Sequence, residues 1–146
     1  MQYDYPQFWE QLLQKARRRT HLHSHLKPRQ RNWLDVTIAP GLRLAYLARS
    51  KYVAVALYID QGPGTEAANE QLFDGLAAAR PAIEHAYGGG LLWERLPGRR
   101  ACRITAPLSP GGVQDLDRWP EIQDQMIDAM VRIDAALRPH LATLSP

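Results

Sequence analysis

Residues 51–60 read KYVAVALYID, the longest run in the chain that sits comfortably only in an interior. Val53, Val55, Leu57 and Ile59 fall on one parity and Tyr52, Ala54, Ala56 and Tyr58 on the other, so a strand through it is apolar on both faces, with aromatic hydroxyls on one. Such a strand belongs inside a sheet, and its neighbours read as partners. Upstream, NWLDVTIAP (32–40) and LRLAYLARS (42–50) are joined through Pro40-Gly41. Leu34, Val36 and Ile38 alternate with Trp33, Asp35 and Thr37, and Leu42, Leu44 and Tyr46 with Arg43, Ala45 and Leu47. Three consecutive strands with short links predict an antiparallel meander.

Outside the meander the period lengthens. Asp4 and Pro6 mark a helix start, and Phe8, Trp9, Leu12, Leu13 and Ala16 give one apolar face over about residues 6–18. After Gln61-Gly62-Pro63-Gly64, an alanine-rich pattern over 65–87 places Leu72, Leu76, Ile83 and Tyr87 on one face with Phe73 beside them. Pro81 should kink or split that helix, and Gly88 is a natural left-handed cap. LLWERLP (91–97) and RRACRIT (99–105) flank Pro97-Gly98 and predict a β-hairpin, with Trp93 packed under a helix and Glu94 and Arg95 in salt bridges on opposite faces. Pro120 then opens a long helix over about 119–141, with Ile122, Met126, Met130, Ile133 and Leu137 inward. The order helix, three strands, helix, two strands, helix predicts one α+β domain over 1–146, its helices covering one face of a mainly antiparallel five-stranded sheet.

The 146 residues suffice for a self-contained core. One cysteine, Cys102, excludes an internal disulfide and a cysteine-rich zinc site, and reads as a small buried hydrophobe in a reducing compartment. The start, MQYDYPQFWEQ, has no basic and then apolar leader, and no run reaches the roughly 18 apolar residues of a membrane span. A cytoplasmic protein without membrane contact is expected. The formal net charge of +3 hides an asymmetry. Between Gln11 and Leu34 stand Lys15, Arg17, Arg18, Arg19, Lys27, Arg29 and Arg31 with three histidines and no acid, whereas Asp115, Asp117, Glu121, Asp124, Asp128 and Asp134 dominate the last quarter.

THLHSHLKPRQRNWL (20–34), VALYID (55–60), LFDGL (72–76), IEHAYG (83–88), LLWERLPGRRACRI (91–104) and the tryptophan of DRWPE (117–121) resemble, in order and spacing, the domain of unknown function 4268 family over about residues 8–141. In that family the domain often ends longer bacterial and archaeal proteins, some with a nuclease-like domain in front. The resemblance therefore implies an accessory role in nucleic-acid metabolism or phage defence and a nuclease-like protein as a partner. It brings no catalytic residues.

The chain carries no complete catalytic constellation, and no cofactor is expected. A restriction-type nuclease needs a carboxylate and, nearby, a Glu or Asp two residues before a lysine; Asp60 and Glu94 could supply the acids, but Leu96 stands where the lysine belongs. His21, His23 and His25 would point one way on an extended chain and could bind zinc, but Ser24 stands where the aspartate of a metallo-hydrolase signature would be. The simpler reading is an exposed polar segment. None of the glycine groups has phosphate-loop spacing.

The basic loop at about 17–32 carries the main expectation. Arg17, Arg18, Arg19, Lys27, Arg29 and Arg31, joined by Arg99, Arg100 and Arg103 if the last hairpin lies near, would neutralise phosphates of DNA or RNA, with Trp33 and Tyr46 available for stacking. The alternative is a solvated charge run on a protein-interaction module. The element order is similar to that of class I secretion chaperones, which are small dimers; those are usually acidic, whereas the pI here is near 9.2. A homodimer in which the basic stretch meets the acidic last helix across a two-fold axis is the second expectation.

Overall fold

The strand that the periodicity singles out is the middle strand of the sheet. In the computed structural model, which describes residues 3–96, 100–108 and 111–144, the strands are β1 (Trp33–Ala39), β2 (Leu42–Ala48), β3 (Val53–Ile59), β4 (Leu92–Glu94) and β5 (Cys102–Leu108). They lie in the order β1-β2-β3-β5-β4 and pair antiparallel throughout. The helices are α1 (Tyr5–Ala16), α2 (Glu66–Ala78), α3 (Arg80–Tyr87) and α4 (Trp119–Leu144), the last preceded by a 3-10 turn at Leu116–Arg118.

One parity of every strand faces the helices. Leu44, Tyr46, Val55, Leu57, Ile59 and Ile104 are completely buried there against Phe8, Trp9 and Leu12 of α1 and Ile122, Met126 and Ile133 of α4. Burial of this apolar area is the main stabilising term, and it fixes which face of each strand turns inward. The Asp4 carboxylate caps α1 by accepting from Gln7 N–H at 3.1 Å. Trp9 Nε1 donates to Arg31 O at 2.7 Å and Tyr5 Oη to Ala48 O at 2.8 Å, locking α1 to the β1–β2 end of the sheet. Gln123, also buried, donates from α4 to Phe8 O at 3.2 Å and Gln11 Oε1 at 3.0 Å.

Pro81 splits the alanine-rich pattern as expected: α2 ends at Ala78, and α3 starts at Arg80 with the proline in its first turn. Gly88, at φ 92°, caps α3 in the left-handed conformation. Two boundaries differ from the sequence reading. β4 holds only three residues, because Leu96 takes φ 51° and carries the backbone out of the ladder. The Pro97-Gly98 link of the hairpin lies outside the described residues. α4 runs through Pro139 to Leu144, since that proline sits on the exposed side of the last turns, where the lost intrahelical bond is open to water.

Candidate nucleic-acid interface

The second parity of the strands forms a face that no helix covers among the described residues. Its cross-strand rows follow from the register: Trp33, Leu47, Ala54 and Pro107; Asp35, Ala45, Ala56, Thr105 and Leu92; Thr37, Arg43, Tyr58, Arg103 and Glu94. The middle of this face is made of small residues. Ala45, Ala54 and Ala56 are at most 2 % exposed, sunk between the longer side chains of neighbouring strands, with Tyr58 packed against them. Over Ala45 and Leu47 lies a trough of about 630 Å³ whose wall includes Trp33, Asp35, Arg43, Arg49, Asp60 and Arg100.

The rim is charged, aromatic and largely pre-set by ion pairs. Arg43 Nη1 lies 3.2 Å from Asp35 Oδ2, and Arg103 donates to Glu94 Oε1 at 3.2 and 3.0 Å while sitting 6.0 Å from the Tyr58 ring centre. Arg100 grips Asp60 with both arms, at 2.6 and 2.9 Å. That bidentate bond, with help from Gly62 N–H at 3.1 Å, holds the Asp60 carboxyl below the usual carboxylate range. Trp33 is 40 % exposed, and the Arg31 guanidinium stands 5.2 Å from its ring centre. Among the described residues Arg29, Arg31 and Arg49 have no carboxylate within ion-pair distance. A planar ring beside paired and unpaired guanidinium groups is an arrangement that can stack a base and neutralise a phosphate.

A family model described as Domain of unknown function (DUF4268) matches residues 5–141, nearly the whole chain. The chain belongs to the DUF4268 family. No curated protein and no solved structure matches it. The DUF4268 domain described here thus bears out the family and the α+β architecture expected from the sequence, and among its described residues no helix is long and apolar enough to cross a membrane.

The DUF4268 fold divides the basic loop into two groups. At the end of α1, Arg17 donates to Ser24 O at 3.1 Å and Leu26 O at 3.4 Å, stapling the loop to itself. Arg19 lies 3.5 Å from Asp128 on α4, and Lys15 2.9 Å from Asp124. The basic and acidic stretches therefore meet within one chain. Arg18 and Lys27 are exposed. Arg29 and Arg31 flank the β1 edge, in a depression that also includes Trp33 and Arg43 and continues the trough. Arg100 reaches the same trough from the far side, while Arg99 lies outside the described residues.

The three histidines do not share a face. The chain turns through 21–25, leaving His21 and His25 exposed and burying His23 against the Tyr46 ring, 4.7 Å between centres, with Nε2 3.0 Å from Leu44 O. Burial lowers the His23 pKa from 6.5 to about 4. This corrects the picture of a uniformly exposed polar segment, and among the described residues no three His, Cys, Asp or Glu side chains are placed to hold a metal ion. The two carboxylates considered for a nuclease, Asp60 and Glu94, each accept from an arginine. Trp93 does pack on the helix side, its Nε1 3.2 Å from Glu84 Oε2, and Arg95 pairs with Asp74.

One positioning residue is invisible to motif reading. Asn69 of α2 is fully buried; its Oδ1 accepts from Gln61 N at 3.0 Å and Gln61 Nε2 at 3.1 Å, and its Nδ2 donates to Arg100 O at 3.0 Å and Thr65 Oγ1 at 3.1 Å. It fixes the loop after β3 to the start of β5, and so sets where Asp60 and Arg100 stand. The signal in the sequence is its heptad spacing: Asn69, Phe73 and Leu76 occupy the inward positions of the helix.

Proposed function

We propose that this domain is a non-enzymatic accessory module that contacts nucleic acid through the helix-free face of its sheet, serving a nuclease-like partner of the kind its family resemblance implies. The observation that carries the reading is the unpaired cation set Arg29, Arg31 and Arg49 beside the exposed Trp33, on a face with no helix over it among the described residues. Phosphate neutralisation by such cations supplies affinity with a steep salt dependence. Arg17 and Arg19, spent on the loop and on α4, contribute to the fold instead.

The test is fluorescence anisotropy with labelled mixed-sequence DNA and RNA across a salt series. Arg29→Ala with Arg31→Ala should weaken binding and reduce the slope of log affinity against log salt by about 1.4 to 1.8, the value for two lost phosphate contacts. Arg17→Ala with Arg19→Ala should lower stability and leave the slope unchanged. Equal slopes in all variants would refute the reading.

A second reading, self-association, rests on the edge of β1. Ala48 N–H donates to Asn32 O at 2.8 Å, so by antiparallel alternation the backbone groups of Trp33, Asp35 and Thr37 turn outward, away from β2. Light scattering distinguishes the two: a dimer that Thr37→Pro dissolves would favour edge pairing, because the proline removes an outward donor and no hydrogen bond of the β1–β2 ladder.

A further inference from the structure

The trough selects the form of nucleic acid, an inference that rests on the nucleic-acid reading above. It extends from β1 to β3, about 10 Å, and along β2 from Gly41 to Arg49, about 26 Å. Duplexes are read by elements that project into a groove, and this face is concave, with alanines at its centre. Its charges also alternate. Asp35 and Asp60 line the wall of the trough, each on its own arginine, and carboxylates there repel phosphate. Paired carboxylates and guanidinium groups instead match the donors and acceptors on base edges. The unpaired cations Arg29, Arg31 and Arg49 stand at the rim, where a backbone would pass. Arg31 occupies one side of the Trp33 ring, and the 40 % exposure of that residue leaves surface for a partner.

We infer that the trough binds single-stranded nucleic acid with its bases turned inward, one base stacked on Trp33 and the phosphates on the Arg29, Arg31 and Arg49 rim. Duplex, whose Watson–Crick edges are already paired and whose remaining base edges lie recessed in grooves behind the sugar-phosphate backbone, meets only the rim. Both DNA and RNA strands satisfy this geometry.

The experiment compares a labelled mixed-sequence single strand with the same sequence as a duplex, by anisotropy at physiological salt, using the full chain and its Trp33→Ala and Trp33→Phe variants. Circular dichroism checks that each variant is folded. The expected result is tighter binding of the single strand, a loss of about 5- to 100-fold for it in Trp33→Ala, retention in Trp33→Phe, and little change for duplex. Tryptophan emission should be quenched on addition of the single strand, and Trp33→Phe should abolish that quench. Duplex bound as tightly as single strand, or Trp33→Ala binding as the parent does while Arg29→Ala with Arg31→Ala loses affinity, overturns the single-strand inference and leaves the nucleic-acid reading standing. No binding of either form by the parent protein overturns both.

Discussion

Lowering the pH from 7 to 5 should destabilise this domain through one residue, His23. It is buried at 1 % exposure, its Nε2 bonded to Leu44 O and its Nδ1 without a partner among the described residues, so the fold holds it neutral. Burial places its pKa at about 4, against 6.5 for the free side chain. Between those values the unfolded chain binds the proton and the folded chain does not, so stability falls as the pH drops through that window and is fully retained above it. The linkage relation gives a loss of about 2 kcal/mol at pH 5 and, below pH 4, a limit of roughly 3 kcal/mol. Urea unfolding at pH 7 and pH 5 measures it, with His23→Phe as the control: the phenyl ring fills the same place, costs about 1 kcal/mol for the lost hydrogen bond, and cannot titrate. The variant should lose about 2 kcal/mol less than the parent between the two pH values. If parent and variant share one pH slope, His23 is not neutral in the fold and the reasoning fails.

Three further substitutions probe the scaffold. Asn69→Leu should cost roughly 2–4 kcal/mol in urea unfolding, because Gln61 N–H and Arg100 C=O lose their partner inside the protein, and it should also weaken nucleic-acid binding by freeing the Asp60–Arg100 end of the trough. Gly112→Ala would place a Cβ 2.3 Å from the backbone oxygen of Ser50, at the point where Val113 N–H and Gln114 N–H donate to Arg49 O and Ser50 O; a loss of about 1–3 kcal/mol is expected. Gly75→Ala meets only the movable end of Leu144, at 2.8 Å, and should cost clearly less by the same assay.

Most of the architecture was legible because periodicity reports burial directly. KYVAVALYID has apolar residues on both parities, and β3 is indeed central; α1 and α4 carry their inward residues at helical spacing, and every inward position read for α4 is buried. The site was less legible because it depends on partners distant in the chain. A run such as Arg17-Arg18-Arg19 reads as one patch, yet Arg17 bonds to Ser24 and Leu26 carbonyls and Arg19 meets Asp128, while Arg29 and Arg31 belong to another surface. His23 looked like its neighbours His21 and His25. Its flanks Leu22 and Leu26, both packed against the core, were the available hint that the loop folds inward there. The alanines of β2 and β3 were read as apolar strand positions; that they make a low floor instead of a second packed face depends on what lies across the register, which no single strand reveals.

Nucleic acid on the helix-free face of the sheet would perturb that face and leave the helices untouched. An NMR titration of the labelled domain with a short mixed-sequence single strand tests it most directly. Shifts should concentrate at the Trp33 indole, Arg31, Arg43, Ala45 and Tyr58, with the residues of α2 and α4 still. Shifts confined to Arg17, Arg18 and Arg19 and the helix layer, or none at any ratio, would contradict it.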